Sequence, residues 1–317
     1  MGEIMTKTAF IFPGQGSQFV GMGKEFYETS STAKKIFDRF NEVLGKDLCK
    51  LCFEGPEEDL KQTINTQPAI LAMSIVAYEI LKEKYDIKPD YVAGHSLGEY
   101  AALYVAEVLS LDDVIKLVQI RAGLMSEAQS GSMSAIIGLD DDKLSDVLSK
   151  ASEFGQISVA NYNTPDQTVI TGETQAIEEA NKLALEAGAK RAILLAVSGA
   201  FHSPLMKDAS DKFAENLTGF SVNDANIPVI TNVDAKETTK ASDFTKKMSD
   251  QIYSSVFWKQ SVNYMIENGV ENFIEIGPGK VLSGMVKKIS RPSNVYNVSD
   301  IQSLDTTINS ISNKVLI

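Results

Sequence analysis

Short apolar runs alternate with longer amphipathic stretches over most of the chain. Short runs bounded by glycine or proline are typical of buried strands, whereas apolar positions that recur every three to four residues indicate helices. The pattern predicts strands at 8–12, 91–93, 227–231 and 272–276, and helices at 23–44, 68–84, 97–109 and 111–128. Ser110, followed three residues later by Asp113, marks the start of the last of these helices. Strands that alternate with helices in this way predict an α/β domain.

The middle of the chain follows a different order. Its pattern predicts strands at 132–139, 157–161, 167–171 and 191–197, and helices at 140–151 and 174–187. The order β-α-β-β-α-β is that of a ferredoxin-like unit. We therefore expect a large α/β domain, formed by residues 1–130 and 198–317, into which a small ferredoxin-like subdomain of residues 131–197 is inserted.

Composition excludes several classes of protein. Of 317 residues, 44% are hydrophobic and 23% are charged, which suits a folded chain with a sizeable core. The net charge of −12 argues against a general nucleic-acid binder and against binding to an anionic membrane, although a local basic dock remains compatible with it. The most apolar run, Ala69–Tyr78, stops at Glu79, so we expect a buried core helix and no membrane span. The N-terminus, with Glu3, does not resemble a signal peptide, and a cytoplasmic monomer is the expectation.

Two cysteines, Cys49 and Cys52, have the C-x-x-C spacing of some zinc and redox sites. A structural zinc ion needs four ligands, and the chain has no second cysteine pair. A thioredoxin-like pair should follow a strand, but this pair lies in a helical pattern. We interpret the two residues as incidental reduced thiols and expect no metal.

The sequence Gly94-His-Ser-Leu-Gly98 fits the pattern G-x-S-x-G between a predicted strand and a predicted helix. In such a turn the serine lies at the apex, and the flanking glycines let neighbouring backbone pass close by. The start of the helix directs free N–H groups at the reacting centre. Ser96 is therefore a candidate nucleophile, with the N–H of Leu97 as an oxyanion donor. The alternative is a glycine turn with a bystander serine.

A nucleophilic serine needs a base, and the chain has only two histidines. His95 adjoins the serine on a sharp turn and should point elsewhere. His202, just after the last strand of the small subdomain, is the remaining candidate. A lone histidine is usually structural, but beside a serine turn the catalytic interpretation is favoured.

A second glycine loop, Phe12-Pro-Gly-Gln-Gly-Ser-Gln18, follows the first predicted strand. It fails the dinucleotide pattern because Phe19 replaces the third glycine, and Gly277-Pro-Gly-Lys280 fails as a phosphate-binding loop because Val281 follows the lysine. Serine acyl-transfer sites take a second oxyanion donor from a loop after another strand, and Gln15 is our candidate for it. A simple tight turn is the alternative.

Arg121 lies on the apolar stripe of its predicted helix, together with Val114, Leu117, Val118 and Met125. A buried guanidinium needs an anionic partner. Periodicity alone leaves open whether that partner is a buried carboxylate of the protein or the carboxylate of a substrate. The adjacent serine site favours the substrate.

Taken together, these motifs resemble the malonyl-CoA:acyl-carrier-protein transacylase family of bacterial fatty-acid synthesis over about residues 6–300. The resemblance rests on the glycine loop 12–18, Thr66-Gln-Pro-Ala, Gly94-His-Ser-Leu-Gly-Glu-Tyr, Arg121, Asn161-Tyr-Asn-Thr-Pro-Asp-Gln, Gly199-Ala-Phe-His, Asn232-Val-Asp and Glu275-Ile-Gly-Pro-Gly-Lys-Val-Leu. It implies an α/β-hydrolase-like core with the ferredoxin-like insertion. The segment after about Tyr296 matches nothing in the family, and we assign it no role.

The resemblance also implies a role for each site residue. Ser96 would be the acylated nucleophile, His202 its base, and Arg121 the group that holds the malonyl carboxylate. The N–H groups of Gln15 and Leu97 would form the oxyanion hole. Gln251, in place of an acidic third member, would orient the histidine through its backbone carbonyl. No metal or redox cofactor is needed.

Substrate and partner follow from the same resemblance. Related acyltransferases that prefer methylmalonyl units often carry serine where this chain has Phe201, and glutamine where it has Leu97, so malonyl is the expected group. The family's carrier protein is acidic, so a basic dock is expected near one helix and on the small subdomain. The candidate residues are Lys280, Lys287, Lys288, Arg291, Lys190 and Arg191.

The sequence alone leaves three alternatives open. An acyltransferase of a polyketide assembly line would carry the same motifs. A plain α/β esterase would hydrolyse its substrate and would not need Arg121. A non-catalytic carrier-binding protein of the same fold should have lost the nucleophile or the base, and this chain retains both.

Overall fold

The computed structural model describes residues 7–85, 87–128, 131–197 and 199–315. Glu3 and the predicted domain-boundary residues Ser130 and Ser198 lie outside this part of the chain. The strands are β1 Lys7–Phe12, β2 Tyr91–Gly94, β3 Ser132–Ile137, β4 Ile157–Thr164, β5 Gln167–Gly172, β6 Arg191–Leu194, β7 Val229–Ile230, β8 Glu237–Thr238, β9 Val270–Ile276 and β10 Asn294–Val298. The helices are α1 Lys24–Thr29, α2 Ser31–Leu44, α3 Leu48–Glu54, α4 Glu57–Leu60, α5 Thr63–Lys84, α6 Gly98–Val105, α7 Leu111–Glu127, α8 Asp141–Ala151, α9 Thr174–Glu186, α10 Lys207–Leu217, α11 Ala241–Tyr253, α12 Trp258–Glu267, α13 Val281–Ile289 and α14 Ile301–Val315.

The large sheet has the strand order β10-β9-β1-β2-β7-β8. Its first five strands are parallel, and β8 runs antiparallel to β7. The central strands are buried along almost their whole length, as expected where helices cover both faces of a parallel sheet. Phe12 pairs with Gly94, so β1 and β2 end side by side and deliver both glycine loops to one edge.

The small sheet has the order β4-β5-β3-β6 and is antiparallel throughout. Helices α8 and α9 pack on it through an apolar cluster that includes Leu144, Val147, Ile170 and Ile177. This is the ferredoxin-like order, so the predicted fold class is confirmed. The predicted division at residues 131 and 197 stays a prediction. The small sheet is also joined to the large part, because β4 exchanges backbone hydrogen bonds with Val256.

Several predicted bounds were wrong for local reasons. The helix predicted at 23–44 is two helices, because Ser30 is extended and its side chain caps α2 by accepting from the N–H of Ala33 at 3.2 Å. The helix predicted from Pro68 begins five residues earlier, at Thr63. Proline has no N–H for the carbonyl of Ile64, and Lys46 Nζ donates to that oxygen instead, at 3.3 Å.

Other predicted elements were longer than the real ones. The helix predicted to reach 109 stops at Val105, the strand predicted at 132–139 stops at Ile137, and the strand predicted at 191–197 stops at Leu194. The predicted helix start at Ser110 is confirmed, since the Ser110 hydroxyl accepts a hydrogen bond from the N–H of Asp113 at 3.1 Å.

Helix α5 corrects the expectation that no segment could span a membrane. It is 22 residues long and apolar enough to meet that criterion, but 78% of its most apolar 18-residue window is buried inside the protein. It is therefore the central core helix, packed against α2, α6 and α7. The C-terminal segment also has a place that the sequence did not suggest, since β10 pairs with β9 and Leu304 of α14 is fully buried.

Candidate active site

The nucleophile turn joins β2 to α6 at the carboxyl edge of the large sheet. Ser96 has a φ of 51°, the left-handed conformation that side chains rarely adopt. A Cβ at Gly94 would collide with the backbone of Gly98, and a Cβ at Gly98 would collide with the carbonyl of Phe12. Gly94 is required because the turn folds back onto the start of α6, and Gly98 because the turn passes directly against the end of β1.

Ser96 and His202 meet although they are far apart in the chain. Ser96 Oγ lies 2.8 Å from His202 Nε2, and His202 Nδ1 lies 2.9 Å from the backbone oxygen of Gln251. A carbonyl can only accept, so Nδ1 carries the proton and Nε2 presents its lone pair to the serine hydroxyl. The imidazole is thus oriented as a base without a carboxylate partner.

The His202 imidazole is neutral in the free protein. Burial, and after it the positive charge of Arg121, lower the pKa of His202 to about 3. A group that is uncharged at neutral pH can accept the serine proton. Its basicity depends on whether the neighbouring guanidinium charge is neutralised.

Arg121 is only 1% exposed and faces neutral acceptors. It donates to Gln67 Oε1 at 2.6 Å, to Gln251 Oε1 at 3.0 Å and to Ser96 Oγ at 3.1 Å. Among the described residues no carboxylate forms an ion pair with it, and its Nε has no hydrogen-bond partner. Burial lowers the pKa of this guanidinium. The arrangement favours the substrate carboxylate over the internal ion pair that periodicity had left open.

The two candidate oxyanion donors lie beside the serine. Gln15 and Leu97 both line the same cavity as Ser96. Within the described part of the chain, the main-chain N–H of neither residue donates to a backbone or side-chain acceptor. Unpaired N–H groups at a helix start and in a glycine loop are suited to an oxyanion.

The cavity has a volume of about 110 Å³. Its polar wall is the serine site with Arg121, and its apolar wall comes mainly from the small subdomain and the loop before His202. The lining residues are Gln15, Gln67, His95, Ser96, Leu97, Arg121, Met125, Met133, Asn161, Leu195, Val197, Phe201 and His202. Phe201 therefore borders the space where an acyl group would lie, and its effect on substrate choice stays a prediction.

Sequence reasoning assigned no role to several polar residues around the serine. His95 does turn away from Ser96, and its Nε2 lies 2.8 Å from Asn163 Oδ1 on β4. Gln67 holds Arg121, and Asn232 contacts the nucleophile turn. Each of these lies in a motif that carried the family resemblance, which was the only available signal. Their partners are too distant in the chain for any local pattern to identify them.

The candidate dock residues differ in the contacts that their side chains already make. Lys287 Nζ donates to the backbone oxygens of Arg291 and Ser293, at 3.3 and 2.6 Å, so this amine helps to close the end of α13. Lys288 is exposed and lies 3.6 Å from Asp166 in the turn between β4 and β5. Lys280 and Arg291 are also exposed.

Lys190 lies at the same end of the small sheet as Asp166. The N–H of Gly138 donates to the oxygen of Asp166, and the N–H of Lys190 donates to the oxygen of the adjoining Ile137, both at 2.8 Å. Arg191, the first residue of β6, is exposed. The structure thus brings Lys190 and Lys288, about one hundred residues apart in the chain, to the same end of the small sheet.

The cysteines take no part in the site. Both cysteines lie in α3 with free, buried thiols, and burial raises the pKa of each. No group of three or more His, Cys, Asp or Glu side chains that could hold a metal ion occurs among the described residues.

Comparison with known proteins places this geometry among acyltransferases. Residues 9–309 match the acyl transferase domain family. The malonyl CoA-acyl carrier protein transacylase of Bacillus subtilis is 48% identical over 311 residues, which cover 97% of this chain and 98% of that protein. The structure of an acyl carrier protein S-malonyltransferase from Vibrio cholerae has a TM-score of 0.92 and 43% identity, covering 95% of this chain and 99% of that one. A malonyl-transacylase solved in complex with a type II polyketide-synthase acyl-carrier protein has a TM-score of 0.93 and 40% identity, covering 96% and 100%.

Proposed function

The chain belongs to the acyl transferase domain family, among the malonyl-CoA:acyl carrier protein transacylases, and from this premise we propose how its own residues carry out the reaction. It transfers malonyl from malonyl-CoA to acyl carrier protein and so supplies fatty-acid synthesis. The observation that carries the proposal is the 2.8 Å contact between Ser96 Oγ and His202 Nε2, with Arg121 donating to the same oxygen.

The first half-reaction acylates the enzyme. His202 Nε2 takes the hydroxyl proton while Ser96 Oγ bonds to the thioester carbon. The N–H groups of Gln15 and Leu97 stabilise the resulting oxyanion, each by about 3 kcal/mol. When the carbon–sulfur bond breaks, the imidazolium returns its proton to the departing sulfur, leaving free CoA and a malonyl-serine ester.

The second half-reaction reverses these steps with a new thiol. The pantetheine thiol of the carrier protein gives its proton to His202 and attacks the ester carbon. The oxyanion collapses, the bond to Ser96 Oγ breaks, and the imidazolium returns the proton to the serine. Because the two substrates react one after the other through a covalent intermediate, the kinetics are ping-pong.

Arg121 links substrate recognition to the strength of the base. The malonyl carboxylate offers the buried guanidinium the anionic partner that the described residues do not provide. Its negative charge also opposes the positive charge that lowers the pKa of His202. A substrate that carries a carboxylate therefore makes His202 more basic when it binds, whereas an acetyl group leaves it weakly basic.

For the carrier protein, we propose a dock centred on Lys190 and Lys288, with Arg191, Lys280 and Arg291 around it. Charge reversal by K190E together with K288E should raise KM for carrier protein and leave transfer to free pantetheine unchanged. Lys287 is a poor test position, since its amine is already bound to two backbone oxygens. K35E, at an exposed position on α2, is the matched control. An equal rise in KM for both acceptors would mean that the dock lies elsewhere.

Intact-protein mass spectrometry after brief exposure to malonyl-CoA tests the chemistry. We expect a malonyl adduct that is absent from S96A and that disappears when carrier protein is added. Rapid release of malonate without transfer would instead support an esterase.

The solved complex with a polyketide-synthase carrier favours one second candidate, loading of a polyketide assembly line. A preference for a polyketide carrier over a fatty-acid carrier in the transfer step would support it.

We further propose that the protein acts as a cytoplasmic monomer. The two unpaired thiols suit a reducing compartment such as the cytoplasm. The mass measured in sedimentation experiments tests the oligomeric state: a value equal to that of one chain would support the monomer, and a larger value would contradict it.

A further inference from the structure

The left-handed backbone at Ser96 has to be held in place by its surroundings. A side-chain-bearing residue in this conformation persists only where neighbouring groups fix it. The N–H of Ser96 donates to Asn232 Oδ1 at 2.7 Å. The carbonyl of Ser96 accepts from Gln251 Nε2 at 3.0 Å. The backbone N–H and the backbone carbonyl of Ser96 are therefore both bound by side-chain amides from other elements.

Asn232 makes the more extensive of these contacts. It is fully buried in the loop after β7, the strand next to β2. Besides accepting from Ser96, its Nδ2 donates to the carbonyl of Gly94 at 2.7 Å. One amide thus binds the backbone on both sides of His95, where the strand ends and the turn begins.

Asn232 is itself held by a buried acid. Its backbone N–H donates to Glu99 Oε2 at 2.6 Å. Glu99 lies in the first turn of α6, the helix that the nucleophile turn leads into. Through these hydrogen bonds, Asn232 in the loop after β7 is connected to the end of β2, to the nucleophile turn and to the first turn of α6. The four segments therefore hold one another in place.

We propose that Asn232 is a positioning residue that holds the nucleophile turn in its strained form, so that Ser96 Oγ stays within reach of His202. The proposal rests on the proposed function, in which Ser96 is the nucleophile. An amide is suited to this position because it donates to Gly94 and accepts from Ser96 at the same time. An ionised carboxylate of the same shape would accept only, and would repel the oxygen of Gly94.

This difference provides a pH-dependent test in N232D. A protonated aspartic acid can donate to Gly94 while its other oxygen accepts from Ser96, so the neutral form restores the pattern. Burial and the nearby Glu99 carboxyl both favour the neutral form. Asp234, in the same loop, pairs with Lys247 of α11 at 2.7 Å, and the cations of Arg121 and, when protonated, His202 lie across the serine.

The experiment measures the single-turnover rate of malonyl-serine formation by intact-protein mass spectrometry, with KM and melting temperature recorded alongside. We expect N232A to acylate about 100-fold more slowly, the scale of a misplaced reacting group. Its KM for malonyl-CoA should not change, because Arg121 and Gln67 remain in place. The rate of N232D relative to wild type should rise as pH falls from about 8 to about 5.

N41A is the matched control. Asn41 uses its amide oxygen to accept from the N–H of Leu48 at 2.8 Å, away from the serine, so its loss removes a comparable structural bond. N41A should acylate at the wild-type rate even if it melts earlier.

Three results would overturn the proposal: wild-type acylation in N232A, an equal loss in N41A at equal melting temperature, or an N232D profile parallel to that of wild type. If N232A does not fold, the isosteric N232D profile decides alone. A wild-type protein that forms no adduct would instead refute the proposed function.

Discussion

Replacing Arg121 by methionine separates recognition of the malonyl carboxylate from the rest of the chemistry. Methionine keeps an unbranched side chain of similar length in a position that is 1% exposed, and it removes the charge and the bonds to Gln67, Gln251 and Ser96. We expect R121M to fold, because no carboxylate among the described residues forms a direct ion pair with Arg121 that the substitution would break.

The magnitude follows from the burial of the guanidinium. Leaving a charged partner unpaired in such a site costs about 2–5 kcal/mol. At 1.36 kcal/mol per tenfold change, this predicts that kcat/KM for malonyl-CoA falls between about 30-fold and about 5,000-fold. Acetyl-CoA has no carboxylate, so its kcat/KM should fall much less or increase.

The pH profile provides a second readout with a definite sign. The charge of Arg121 contributes to the lowered pKa of His202, so this pKa rises when the charge is removed. The base acts only when neutral, and activity is lost as pH falls through its pKa. The acid limb of acetyl transfer by R121M should therefore lie at higher pH than that of wild type.

Steady-state assays with both donors across pH, with R39M as control, test this reasoning. Arg39 binds Asp112 and Glu42 on the surface, so its loss should not change the ratio between malonyl and acetyl transfer. Equal losses for malonyl-CoA and acetyl-CoA in R121M would refute the carboxylate role. An unchanged acid limb would refute the coupling to His202.

Three further predictions concern the pocket, the turn and a buried acid. F201S should raise kcat/KM for methylmalonyl-CoA relative to malonyl-CoA by at most about 10- to 200-fold, the range that one methyl group allows, and an unchanged ratio would remove Phe201 from substrate choice. G98A should lower thermal stability by about 1–3 kcal/mol and reduce acylation, because its Cβ meets the carbonyl of Phe12; a wild-type melting curve would contradict this. Burial raises the pKa of Glu99 from 4.5 to about 7, so the folded protein binds this proton more tightly than the unfolded chain, and wild type should lose stability as pH rises from about 4.5 to about 7. E99Q cannot ionise and should show a shallower fall in melting temperature over that range, and identical slopes would show that Glu99 does not titrate there.

Much of the site could be predicted because its chemistry is carried by short local motifs. The strand, glycine turn and helix around Ser96 form one continuous segment, and backbone sterics alone require the glycines there. The scarcity of histidine directed attention to His202, and helical periodicity exposed Arg121 as a cation on an apolar stripe. The βαββαβ order likewise follows from patterns within single elements.

The tertiary structure alone decided which distant groups complete these motifs. Asn232 binds Ser96 across 136 positions, and Gln251 binds Ser96 and Arg121 from 155 and 130 positions away. Periodicity could not show whether Arg121 faces an internal acid, because that depends on side chains from three other elements. Hydrogen bonds act only over about 3 Å, and nothing in a local pattern of residues specifies which remote amide the fold brings within that distance.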